Sequence, residues 1–96
     1  MPNHLLLGAQ VVERGSMRFT PAGVPAIDLQ LQHASCLSEA GQPRQVTAVI
    51  KAVAFGAVAE RIDRQPLGSQ WQFGGFLATA QSGRQTVFHI QDFGPV

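Results

Sequence analysis

The chain has 96 residues, 45% of them hydrophobic and 14% charged, with a formal net charge of +1. That length suits a single domain over residues 1–96, small enough that a second copy would help to stabilise it. The charge is too weak to indicate nucleic acid by itself, and the one cysteine, Cys36, excludes an internal disulfide and a cysteine-rich zinc site.

The opening MPNHLLLGAQ lacks the basic region and long apolar run of a signal peptide. No later stretch approaches the roughly 20 apolar residues needed to span a membrane. The expectation is a cytoplasmic protein with no membrane partner. A first strand is predicted over about His4 to Arg14, with Gly8 marking a bend or close approach. ERGSM breaks the pattern, and TPAGVP forms a corner stiffened by Pro21 and Pro25, with Gly23 free to take a left-handed backbone. Ile27, Leu29 and Leu31 then alternate with Asp28, Gln30 and Gln32, a half-buried second strand over about Ala26 to Cys36.

LSEAGQPRQ, polar with Gly41 and Pro43, is predicted as a loop. VTAVIKAVAF is a third strand rich in β-branched residues. Its Val46, Ala48, Ile50, Ala52 and Ala54 face suits a barrel interior, while Thr47, Val49, Lys51, Val53 and Phe55 look outward. AVAERIDR is the one helical segment, with Val58 and Ile62 on a shared face and Pro66 beyond its end. QWQFGGFLATA is a fourth strand with a bulge or corner at Gly74-Gly75, QSGRQ a short hairpin-type loop, and TVFHIQDF a fifth strand. The order β-β-β-α-β-β, with a single helix between the third and fourth strands, predicts an all-β five-stranded OB-fold barrel.

No residue set for catalysis emerges. His4, His33 and His89 lie far apart in predicted strands, without the spacing of metal ligands. His33 and His89 are read as hydrogen-bonded structural residues, and Cys36 as inert. The expectation is therefore a protein that is not an enzyme, with no metal, no cofactor and no small-molecule substrate.

A binding surface is better supported. OB-folds bind single strands on the face of the second and third strands, and with the loops joining strands one to two and four to five. Arg14 and Arg18 flank the first of those loops, Arg44 precedes the third strand, Lys51 lies on its outward face, and Arg84 sits at the tip of the last loop. Arginine suits planar, bidentate phosphate contacts. Phe19 and Phe55 are candidate stacking platforms for bases. Trp71, Phe73, Phe76, Phe88 and Phe93 are read as core and barrel-end residues, with Trp71 capping the barrel or joining a subunit interface.

PAGVP (21–25), LQHAS (31–35), EAGQPRQ (39–45), Gly56, Gly68-Ser69 and Gly75-Phe76, with Asn3 and Leu5, together resemble the primosomal replication protein N family, of the bacterial single-stranded DNA-binding protein superfamily. The resemblance spans nearly the whole chain. It implies an OB-fold homodimer that binds single-stranded DNA and a PriA-type helicase during replication restart and primosome assembly. Arg18 and Arg44 match basic positions of the family. Thr47 stands where better-known members carry an outward tryptophan, Gln42 replaces a loop aromatic, and the 81–85 loop is short with Arg84 as its only charge. The departures imply weaker, more electrostatic DNA binding.

Two alternatives stay open. One is a single-stranded DNA-binding protein proper, against which the ending DFGPV, directly after the fifth strand and without an acidic tail, argues. The other is an OB-fold protein-interaction module with little DNA binding.

Overall fold

The strands form where alternating residues can bury one face. A computed structural model describes all 96 residues. The order is β1 (Leu5–Arg14), β2 (Arg18–Phe19), β3 (Pro25–Glu39), β4 (Gln42–Phe55), α1 (Ala57–Asp63), β5 (Gln70–Thr79) and β6 (Thr86–Gly94). β1 pairs with β5 through Leu5–Gln10 and with β3 through Gln10–Arg14. The register slips between Val11 and Glu13, and this bulge at Val12 bends β1 from one partner to the other. β3 pairs with β4, β4 runs parallel to β6 over Ala52–Ala54, and β6 returns antiparallel to β5. The circuit β1-β3-β4-β6-β5 closes the five-stranded barrel, and the predicted OB-fold is the observed one.

The core follows the period-two reading. Val11, Ile27, Leu31, Phe73 and Phe88 are fully buried inside the barrel. Ala59 and Ile62 of α1 join the same core. Gly56, with φ 75°, turns the chain out of β4 and into the helix. At the other end of the helix, Arg14 donates Nη1 to the carbonyls of Ile62 (3.1 Å) and Gln65. Ile62 lies in the last turn, its carbonyl also accepting the Gln65 N–H at 3.0 Å, and Gln65 lies just beyond the helix, so Arg14 pins the helix end to β1. The predicted bulge is present: the β5–β6 register shifts between Gly74 and Gly75.

Three expectations change. LSEAGQPRQ is not a loop. β3 and β4 stay in register from Ala26–Phe55 to Glu39–Gln42, and only Ala40-Gly41 turns, both with positive φ (53° and 77°). That is the left-handed two-residue turn matched to the twist of a hairpin. The segment is polar because it is a two-stranded arm beyond the barrel with water on both sides. Its free edges tolerate Pro43, which has no N–H to donate.

The arm also changes the facing of β4. Ala52 and Ala54 are buried, but Val46 and Ala48 lie on the arm and are half-buried and exposed, not interior. Val53, expected outside, is only 6% exposed. Its cross-strand neighbours Asp28 and His89 are longer and leave it little surface.

Phe76 is not a core residue. Alternation from the buried Phe73 carries Phe76 to the outer side of β5, where it lies half-buried.

Candidate nucleic-acid interface

The outer face of the barrel is built by register. Arg18 of β2 sits opposite Ala26 of β3, which sits opposite Phe55 of β4. In the next row Asp28 faces Val53, Val53 faces His89, and His89 faces Phe76. One row further, Gln30 faces Lys51. Lys51 donates Nζ to Gln85 Oε1 at 3.0 Å, which ties the β5–β6 loop, and Arg84 within it, to this face. Arg18, Lys51 and Arg84 are thus brought to one side of the molecule by β2, β4 and the β5–β6 loop, three elements distant in sequence. All three are exposed, and neither Lys51 nor Arg84 is paired with a carboxylate.

The remaining predicted cations are placed differently. Arg14 is largely covered, holding the carbonyls at the end of α1 with Asp63 3.9 Å away, and is not available to a phosphate. In sequence Arg14 stands beside the first loop, but the helix end that it serves lies 48 residues further along the chain. Arg44 pairs in register with Leu37, whereas Lys51 pairs with Gln30. Seven residues of continuous strand separate Arg44 and Lys51, an odd number, so they project from opposite faces of the ribbon, about 23 Å apart along it. Arg44 therefore does not share the predicted binding surface with Lys51: it belongs to the arm tip, where it is bound to Glu39.

Arg18 is held by Asp28. Nε lies 3.0 Å from Oδ2 and Nη2 3.3 Å from Oδ1, so both carboxylate oxygens are engaged. The hydrogen bond, and then the attraction of the carboxylate, raise the pKa of the guanidinium further above its ordinary value. Phe19, next to Arg18 and opposite Pro25, is 67% exposed.

Phe55, a predicted stacking platform, is joined on this face by His89 and Phe76, which the sequence did not single out for it. His89 lies between two phenylalanines, its ring 4.8 Å from that of Phe76 at an interplanar angle of 12°, and 6.0 Å from that of Phe55 at 25°. Phe55 is 42% exposed, and the stack lines a shallow cavity with Val58, Ile90 and Gln91. The signal was present in the alternation. Phe88 and Ile90 are both interior, which puts His89 outside, and β5 offers Phe76 as its neighbour.

Other singled-out residues serve the scaffold. His33 hydrogen-bonds the Gly8 carbonyl through Nδ1 (2.6 Å) and Ser35 Oγ through Nε2 (2.7 Å), joining the base of the arm to β1. Trp71 donates to Ser69 Oγ at 2.9 Å, packs edge-on against Phe93 and lies half-buried against the core. Arg61 lies over the Phe93 ring, 4.6 Å from its centroid. Cys36 is exposed on the arm.

A closed five-stranded barrel with cations and stacked rings on its outer face has the form of a single-strand-binding OB-fold protein. A family model described as another single-strand binding protein family matches residues 3–92. Within that class, the chain belongs to the family of replication restart protein PriB. It is 48% identical over 90 residues to the PriB of Bordetella pertussis, covering 93% of this chain and 84% of that protein. The PriB of Nitrosomonas europaea is 32% identical, with 94% and 84% covered. The solved structure of PriB from Ralstonia solanacearum superposes with a TM-score of 0.91 at 38% identity, over 99% of this chain and 98% of that one. A single-stranded DNA binding protein from Thermus aquaticus, 23% identical, shares the fold at a TM-score of 0.77, over 99% of this chain and 50% of that one.

Proposed function

We propose that the protein binds single-stranded DNA on the outer face of β3, β4, β6 and β5, as a primosomal accessory factor in replication restart that acts by binding and not by catalysis. The observation that carries this reading is the joining of Arg18, Lys51 and Arg84 with the Phe55–His89–Phe76 stack on one continuous face. Lys51 and Arg84 would hold phosphates, Arg18 and Phe19 would border them, and the stacked rings would receive bases. Arg44 would meet only a strand long enough to reach the arm tip.

Titrating a labelled oligonucleotide at several salt concentrations tests the reading. Each phosphate neutralised on a single strand contributes about 0.7 to the slope of log K against log salt. The Lys51→Ala, Arg84→Ala double variant is expected to flatten that slope by about 1.4. No binding by the unaltered protein, even at low salt, removes DNA as its ligand.

A homodimer and a PriA-type helicase complete the proposal, in the cytoplasm. The Leu5–Ala9 half of β1 has β5 on one side and no backbone partner strand on the other, an edge suited to pairing with the same edge of a second copy. The β1-side face of the arm leaves Leu37 57% exposed, with Ala48 exposed and Val46 and Ile50 half-buried beside it. Sedimentation equilibrium is expected to give twice the 10.3 kDa mass of the chain, and a monomer at micromolar concentration would refute the pairing. Retention of a PriA-type helicase on the immobilised protein, with and without forked DNA, tests that partner. A helicase retained by a protein that binds no DNA would favour the interaction-module reading.

A further inference from the structure

We propose that Asp28 competes with phosphate for the guanidinium of Arg18, and so sets the affinity of the outer face for single-stranded DNA. This rests on the DNA-binding reading of that face. The carboxylate occupies the guanidinium through two atoms, Nε at 3.0 Å and Nη2 at 3.3 Å. A carboxylate and a phosphate take the same planar fork in the same way. A strand crossing this face therefore meets an arginine that is already neutralised.

The pair is not a stability element. The Arg18 and Asp28 side chains are 50% and 63% exposed, and exposed ion pairs contribute little to folding. Asp28 also points outward with the other ligand-facing groups. It lies on the same side of β3 as Gln30, the register partner of Lys51, which puts it diagonally across from that lysine. A diagonal separation of about 7–8 Å is within one screening length at physiological salt. Asp28 thus opposes a strand twice, by occupying Arg18 and by lowering the positive potential around Lys51. A family face of this kind without the carboxylate would gain one more phosphate contact.

The experiment compares the full-length protein with Asp28→Asn by fluorescence anisotropy on a labelled oligothymidylate, from 50 to 200 mM salt. Asp28→Asn is expected to bind several-fold more tightly at 50 mM, with a slope steeper by about 0.7, the share of one phosphate. Its advantage over the unaltered protein then shrinks about 2.6-fold across that range. Adding Arg18→Ala to Asp28→Asn is expected to remove the extra slope of about 0.7 and most of the gain, leaving only the smaller share that acts through Lys51. Glu60→Gln removes the same charge from an exposed carboxylate with no arginine partner and is expected to leave affinity and slope unchanged.

If the unaltered protein binds DNA and Asp28→Asn matches it in affinity and slope, the competition is refuted while the DNA-binding reading stands. An equal gain from Glu60→Gln would also overturn it, since overall charge would then explain the effect. Absence of binding in every variant at low salt would take the DNA-binding reading down, and the competition with it.

Discussion

Gly75→Ala is expected to lower the stability of the protein by about 3 kcal/mol or more, seen as a fall in the urea midpoint followed by Trp71 fluorescence. A methyl group at Gly75 would land on the carbonyl oxygen of His89, with the carbonyl carbon at 2.9 Å and the Phe88 ring at 3.0 Å. The obstacle is backbone, so it cannot rotate aside, and β6 must move. Gly75 lies at the bulge where β5 and β6 shift register, and β6 carries Phe88 into the core and His89 to the outer face. The substitution thus strains the core and the aromatic stack together. Gly8→Ala is the contrast: a methyl there meets nothing within 4 Å, and its expected effect is within about 0.5 kcal/mol. Equal midpoints for the two variants would show that β6 yields without cost, contrary to this account.

The largest effect on binding is expected from the aromatic stack. Stacking of a base on an aromatic side chain is worth about 1–3 kcal/mol. Replacing Phe55 and Phe76 together by alanine removes both rings that flank His89. The expected loss is about 3 kcal/mol, or more than 100-fold in affinity for single-stranded DNA. Neither ring is part of the buried core, so the barrel should remain folded, with an unchanged Trp71 environment as the check. The salt slope separates this loss from that of cations. Rings displace few counterions, so the slope should stay close to that of the unaltered protein while affinity falls. A double variant that binds within twofold of the unaltered protein would mean that bases do not lie on the stack.

The departure at Thr47 gains meaning from this geometry. Thr47 lies on the exposed arm, paired with Ala34, well away from the rows that carry His89 and Phe76. The aromatic surface of this chain is instead at the helix end of β4, where Phe55 precedes Gly56. The expectation of weaker binding rests on Thr47, Gln42 and the short 81–85 loop, and the stack at Phe55, His89 and Phe76 offers a different place for bases.

The strands, the single helix, the bulge at Gly74-Gly75 and the OB-fold order were legible in the residues because each rests on local periodicity. Alternation assigns a strand and its two faces without knowledge of its partners. Ile27, Leu29 and Leu31 accordingly fall inside the barrel and Asp28 outside it. The TPAGVP corner was also legible, with Gly23 at φ 82°, because turn chemistry is local as well. The arm was not, because strands that leave the barrel have water on both sides and lose the apolar signature that identifies a strand. Taking that segment as a loop hid the odd spacing that sets Arg44 and Lys51 on opposite faces.

What remained unreadable is non-local. Arg14 meets the end of α1, Arg18 meets Asp28, and His89 enters between Phe55 and Phe76 only when the barrel closes. Periodicity along one strand says which way a side chain points. The register between strands decides what it points at, and that register is set by closure of the whole sheet.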